Sequence, residues 1–162
     1  MLATHFKSPH VSTLRKSNDM IVVRPGLSRI NSVCKKEYIM IGYVTLGTND
    51  LQRAARFYDA IAKEMGVGRM MESDGFIAWG KPGGGAGIGL IKPYDGKAAT
   101  VGNGVMVALE ARDKAQVDRI YEIALSHGGT DEGKPGPRGD DGYYAAYFRD
   151  PDGNKLNAFI MG

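Results

Sequence analysis

Cysteine is almost missing from this sequence: Cys34 is the only one. No intrachain disulfide can form and no cluster of thiolates can hold a structural zinc, so a reducing compartment, the cytoplasm, is the expectation. Histidine is scarce as well, with only His5, His10 and His127. A nucleophilic triad fails for want of a His or Cys on the cavity side. No run approaches the roughly 18 apolar residues of a membrane span. The N-terminal region lacks the apolar stretch of about 7 to 15 residues that a secretory signal requires.

Charge of one sign is lacking too, once it is counted by region. The formal charge of +3 comes from the first 39 residues, where seven Lys and Arg face Asp19 and Glu37. From Met40 onward, 14 basic residues face 16 acidic ones. A domain with that balance, and no basic stripe interleaved with aromatics, has no electrostatic footprint for nucleic acid. Residues 1–39 show no sustained period, carry Ser and basic residues, and break at Pro25-Gly26. They read as a disordered basic extension. An organelle transit segment is one reading of it; extra sequence upstream of a working start at Met40 is the preferred one. The remainder, residues 40–162, is long enough for one domain with a real core.

What is present is a duplication at an offset of 63 residues. Val44 and Leu46 recur as Val107 and Leu109, Asp50 as Asp113, Tyr58 as Tyr121, and Gly66 as Gly129. Each copy opens with a strand of period two, Tyr43 to Leu46 and Met106 to Leu109. A helix follows with apolar residues at i, i+3, i+4 and i+7: Leu51, Ala54, Ala55, Tyr58, Ile61, Ala62 and Met65, then Val117, Ile120, Tyr121, Ala124 and Leu125. Asn49 or Asp50, and Asp113, are the N-caps; Asp113 with Gln116 has capping-box spacing. Gly66 and Gly128-Gly129 are the stops. Period two then returns, predicting strands near Gly68 to Ser73, Gly75 to Gly80 and Gly87 to Lys92, and in the second copy around Glu132 to Lys134, Tyr143 to Arg149 and Lys155 to Ile160. The Pro-initiated turn Asp150-Pro151-Asp152-Gly153 separates the last two. The predicted order is βαβββ twice, an α+β fold in modules of about 40–100 and 101–162.

These features resemble the vicinal oxygen chelate superfamily, which contains glyoxalases, bleomycin-resistance proteins and extradiol dioxygenases. The resemblance covers residues 40–162. It is carried by Tyr43-Val44-Thr45-Leu46-Gly47-Thr48-Asn49-Asp50-Leu51, by Arg56-Phe57-Tyr58, and by Tyr147-Phe148-Arg149-Asp150-Pro151-Asp152-Gly153-Asn154. It implies two curved mixed sheets that enclose a cavity, and a homodimer. It also implies a site of four His, Gln or Glu metal ligands, one on the first and one on the last strand of each module. Those positions fall here on Tyr43, Gly89, Met106 and Asn157. A phenol, a hydrogen, a thioether and a neutral amide make a poor donor set for a divalent metal. No cofactor is expected. Glu72, Asp74 and Glu110 have no spacing that suggests a carboxylate site, and His127 reads as a surface residue at a helix terminus.

Strand parity places Tyr43, Thr45, Gly87, Gly89, Met106, Ala108, Glu110, Lys155, Asn157 and Phe159 on the cavity side, and Val44, Leu46, Ile88, Leu90, Val107, Leu109, Leu156 and Ala158 against the helices. The candidate ligand-binding residues are Tyr43, Thr45, Trp79, Gly89, Met106, Glu110, Tyr144 and Asn157. Trp79, Tyr143 and Tyr144 are the weaker candidates because their strand parity is harder to fix, and Arg138 could meet an anionic ligand from its loop. Tyr43 is the one candidate general acid. Gly87 and Gly89 should leave open volume. Lys81 to Gly87 is glycine-rich but lacks a Gly-Lys-Ser/Thr ending and leads into a strand, so it reads as a hairpin loop and not a phosphate cradle. The expected function is binding of a small, partly apolar molecule without the family's metal. The alternatives are a glyoxalase-like lyase or dioxygenase, with a displaced metal site or tyrosine acid chemistry, and a non-catalytic interaction module. In the lyase or dioxygenase reading a divalent metal is the cofactor.

Overall fold

The computed structural model describes residues 14–16, 19–21 and 40–162. The chain divides into units at residues 1–37 and 38–162. In the first, β1 (Leu14–Lys16) pairs antiparallel with β2 (Asp19–Ile21). The expectation of a disordered extension concerns residues that otherwise lie outside those described.

The second unit is the duplicated domain. Module one runs β3 (Tyr43–Gly47), α1 (Leu51–Met65), β4 (Gly68–Ser73), β5 (Phe76–Gly80) and β6 (Gly87–Ile91). Module two runs β7 (Val107–Glu110), α2 (Lys114–Ser126), β8 (Thr130–Pro137), β9 (Tyr144–Arg149) and β10 (Lys155–Ile160). The sheets have the same topology, β3-β6-β5-β4 and β7-β10-β9-β8. In each the first strand lies parallel to the last, and the other pairs are antiparallel. This is an α+β fold of two βαβββ modules. The sheets remain two separate four-stranded sheets and do not close into a barrel. The least regular strand of the sequence reading, near Glu132, proves the longest. Register shifts at Asp131, Gly133 and Gly136 bend it against β9.

Both helices start and stop for the same reasons. The Asp50 carboxylate accepts from Arg53 N–H at 2.9 Å, and Asp113 accepts from Gln116 N–H at 2.6 Å. Gln116 completes its box one residue early, accepting from Arg112 N–H, and its Nε2 donates to the Glu64 carbonyl at the end of α1. At the C-termini, Gly66 has φ 72° and Gly128 has φ 93°. Val67 N–H reaches the Ala62 carbonyl and Gly129 N–H the Ala124 carbonyl, which makes a Schellman stop in each copy. The left-handed glycine is therefore Gly128, while Gly129, which matches Gly66 in the repeat, is needed for space. A Cβ there would stand 2.6 Å from the Arg149 carbonyl.

One hydrophobic core serves both modules. Phe57, Ile77, Leu90, Val117, Ile120, Phe148 and Leu156 are fully buried in it. Polar links between the modules lie along its edge. Tyr58 donates to Asp150 at 2.9 Å, the Thr48 hydroxyl to Asp152 at 2.6 Å, and Asn154 Nδ2 to the Gly47 carbonyl at 3.0 Å. Arg53 pairs with Asp152 at 2.7 Å, and Arg119 with Glu64 at 2.9 Å. Each helix packs on one face of its own sheet and the two helices pack on each other, which leaves the other face of each sheet free of helix.

Candidate functional site

The outward faces carry the residues that parity assigned to the cavity side. On the first sheet, Thr45, Gly89, Ala78 and Met71 form one cross-strand row. Tyr43 sits beside them, 49% exposed, its ring 6.0 Å from that of Phe76. On the second sheet, Ala108, Asn157, Tyr147 and Gly133 form the corresponding row. Glu110 is exposed at the end of β7, opposite Phe159. Met106, just before β7, lines a cleft of about 460 Å³ with Val101, Val105, Arg149 and Lys155. No strand pairing joins the sheets, so Tyr43, Thr45 and Gly89 belong to one face and Met106, Glu110 and Asn157 to the other.

Two candidates point the other way. Trp79 is on the helix side: its Nε1 donates to Asp59 at 2.8 Å, and its ring lies 5.5 Å from that of Tyr58. It borders a small apolar cleft of about 140 Å³ with Met65 and Ile88. Asp59 also holds Arg69, and that guanidinium keeps the carboxyl below its usual range, with the indole N–H acting in the same direction. Tyr144 likewise faces α2, its hydroxyl donating to Asp118 at 2.9 Å. That bond, and then burial, raise the hydroxyl above the ordinary tyrosine value. The alternation that puts Phe148 in the core sets Tyr144 on the same side, four residues earlier.

Gly87 and Gly89 do not open a hollow. A Cβ on Gly89 would lie 2.7 Å from Cε2 of Phe76, and one on Gly87 would lie 2.6 Å from the Trp79 carbonyl. The glycines are small because a ring and a strand lie against them. Phe76 is thus a residue of the open face that parity missed. Its only sequence signal was the pair of glycines, which were read as empty space. Tyr143, Tyr147 and Arg138 belong to the open face of the second sheet. Asn157 Nδ2 donates to the Tyr143 hydroxyl at 2.8 Å, and the Arg138 guanidinium lies 5.4 Å from the Tyr147 ring centroid. Burial, followed by the neighbouring Tyr147 hydroxyl, raises Tyr143 above the usual tyrosine value, so it stands as a neutral donor. His127 is exposed at the end of α2, its Nδ1 on the Ile123 carbonyl at 2.8 Å.

Tyr43, Gly89, Met106 and Asn157 do not fit a divalent cation. Gly89 offers no donor, the Phe76 ring lies over it, and the Asn157 amide is engaged with Tyr143. Among the described residues, no three His, Cys, Asp or Glu side chains are grouped as metal ligands elsewhere. None of the described helices is long and apolar enough to cross a membrane.

The paired βαβββ topology is matched in sequence as well. A profile of the glyoxalase/bleomycin resistance protein/dioxygenase superfamily matches residues 40–158. The chain belongs to this superfamily. A crystal structure of a glyoxalase/bleomycin resistance protein from Albidiferax ferrireducens is 35% identical, with a TM-score of 0.70, over 76% of this chain and 99% of that one. A glyoxalase/bleomycin resistance protein/dioxygenase family enzyme from Burkholderia phytofirmans is 18% identical, with a TM-score of 0.61, over 75% of this chain and 98% of that one. Lactoylglutathione lyase from Agrobacterium tumefaciens is 22% identical, with a TM-score of 0.54, over 74% of this chain and 91% of that one. At the distance of the last two, the likeness is one of fold. No curated protein matches the sequence. Membership in the superfamily fixes the scaffold and leaves the chemistry to the residues on the two faces.

Proposed function

We propose that this superfamily member binds a small, partly apolar organic molecule on its outward sheet faces without the family's metal, and that it works in the cytoplasm as a homodimer. The observation that carries this reading is the state of the four family metal positions. They hold a phenol, a hydrogen under an aromatic ring, a thioether and an amide already bonded to a tyrosine. Such a surface suits dispersion, stacking and a few directed hydrogen bonds. It does not suit Lewis-acid catalysis.

The exposure of apolar side chains supports the dimer. Tyr43, Met71, Val105 and Met106 are all more than two-fifths exposed, at 49%, 42%, 54% and 42%. Exposed apolar side chains on both open faces favour an interaction surface. A second copy that laid one module's face over the other's would cover them and close a cavity between them. The lyase or dioxygenase alternative would require Tyr43 to act as an acid from its exposed position, or a metal held elsewhere.

Thermal shift of the purified full chain against a panel of metabolites and aromatic antibiotics tests the proposal. A bound compound at 100 times its dissociation constant should stabilise by about 2.7 kcal/mol. EDTA treatment should change neither that response nor the melting temperature. A panel with no response, or one whose response disappears with EDTA, would contradict the proposal.

A further inference from the structure

The glycine-rich stretch from Lys81 to Gly87 forms one wall of the apolar cleft beside Trp79, on the helix side of the first sheet. Pro82 and Gly83 make the corner of a tight turn there. Gly83 has φ 71°, and the Gly84 N–H donates to the Lys81 carbonyl at 2.8 Å. Another wall is α1, through Tyr58, Ile61, Ala62 and Met65, and Leu109 of module two also reaches the cleft. Its volume is left by small residues on both sides, Ala62 on the helix and Gly85 and Ala86 on the loop. A Cβ on Gly85 would meet no atom within 4 Å.

The polar ends of the two large rings are spent elsewhere. The Tyr58 hydroxyl donates to Asp150 at 2.9 Å and Trp79 Nε1 to Asp59 at 2.8 Å, so neither calls for a partner in the cleft. What remains to line it is ring and hydrocarbon. At about 140 Å³ it is close to the apolar cavity of about 150 Å³ that takes a benzene ring. One charge stands on the rim. Lys81 is exposed, and among the described residues no carboxylate lies within ion-pair distance of it. Two carboxylates of α1 are already committed, Asp59 to Arg69 at 2.7 Å and Glu64 to Arg119 at 2.9 Å. The same network fixes Trp79, because Arg69 also lies over the indole, 5.9 Å from the ring centroid.

We propose that this cleft is a second binding site, for a small hydrophobic carboxylate. A hydrocarbon group of about the size of a benzene ring fills the space between Ala62, Trp79 and Ile88. The carboxylate stays at the rim, paired with Lys81. The site is separate from the outward sheet faces and does not depend on the ligand proposed for them.

Trp79 is the sole tryptophan, so its indole N–H gives one resonance in a nitrogen-15 correlation spectrum of the full chain. Titration with phenylacetate should shift that resonance to saturation, and added salt should weaken the binding. Phenylacetamide, which lacks the charge, should bind about two- to fivefold more weakly, the range of an exposed ion pair. Acetate, which lacks the ring, should leave the resonance in place. Lys81→Gln, an exposed change, should make phenylacetate and phenylacetamide bind equally. Ala62→Leu and Ala86→Leu fill the cleft from opposite walls, and each should abolish the shift. Ala86 is exposed, so its variant decides the matter if Ala62→Leu does not fold. An indole resonance unmoved by phenylacetate, or one still shifted when Ala86→Leu fills the cleft, would overturn the site. Equal binding of phenylacetate and phenylacetamide by the parent protein would overturn the pairing with Lys81 and with it the proposed ligand class.

Discussion

Replacing Asp150 with alanine is expected to lower stability by about 4 kcal/mol, because several buried neutral donors lose their acceptor at roughly 1–3 kcal/mol each. The carboxylate is 2% exposed and accepts four hydrogen bonds. Oδ1 takes the backbone N–H groups of Asp152 and Asn154, and Oδ2 takes the Tyr58 hydroxyl and Asn154 Nδ2. Without it the Tyr58 hydroxyl, 3% exposed, is left as a buried donor with no acceptor, and each such group costs roughly 1–3 kcal/mol. The damage spans both modules, because Tyr58 lies on α1 and Asn154 also holds the Gly47 carbonyl of β3. Asp150→Asn keeps the shape and part of the acceptor set, so its loss should be smaller.

The two variants also separate by pH. Burial raises the Asp150 carboxyl above its usual 3.8, against the opposing pull of its hydrogen bonds from Asn154 and Tyr58. A folded value above the unfolded one means that the native state holds the proton more tightly. This group's contribution is then fully present below the unfolded value and is lost as pH rises through the folded value. Asp150→Asn should therefore remove the decline in stability expected of the parent protein as pH rises through the raised folded value of this carboxyl. Glu132 acts in the opposite direction, since Arg149 and then Lys155 lower its value, and its contribution is lost as pH falls. Urea unfolding curves at several pH values measure both effects. A loss below about 1 kcal/mol for Asp150→Ala, the range of an ordinary surface change, would contradict the role given to the network.

Phe57→Ala should cost about 4 kcal/mol, the usual loss for deleting a wholly buried phenylalanine. Phe57 is 0% exposed, with its ring 5.1 Å from that of Tyr58 and 6.3 Å from that of Phe148 in module two. Its edge also lies 3.0 Å from where a Cβ on Gly129 would stand. The cavity therefore opens at the seam between modules, and both should lose stability together. Trp79, the sole tryptophan, reports on module one, while far-ultraviolet circular dichroism reports on the whole chain. Coincident urea transitions by the two probes, shifted equally by the mutation, are the expected result. Separate transitions would contradict a shared core.

Much of this scaffold was legible because its signals are local. Asp50 and Asp113 cap where their spacing placed them, and Gly68–Ser73 and Lys155–Ile160 have the predicted bounds. Parity also sorted Leu46, Leu90, Leu156 and Ala158 to the core. The failures came where distance in sequence mattered. Trp79 and Tyr144 were tied to no fixed parity, and each is held on the helix side by a carboxylate, Asp59 or Asp118, from another element. Gly89 has the local pattern of empty space, yet Phe76 fills that space from the neighbouring strand. Arg138 was visible only as a loop cation. Its seat depends on bulges at Gly133 and Gly136 that no periodicity describes.

The central claim is that duplication kept the scaffold while Tyr43, Gly89, Met106 and Asn157 gave up the metal. Elemental analysis of the purified full chain, before and after incubation with excess Zn, Ni, Mn or Fe(II) and gel filtration, tests it most directly. The expected result is no stoichiometric metal in either sample, with the fold unchanged. One retained ion per chain or per dimer, lost on mutation of Tyr43, Met106 or Asn157, would contradict it.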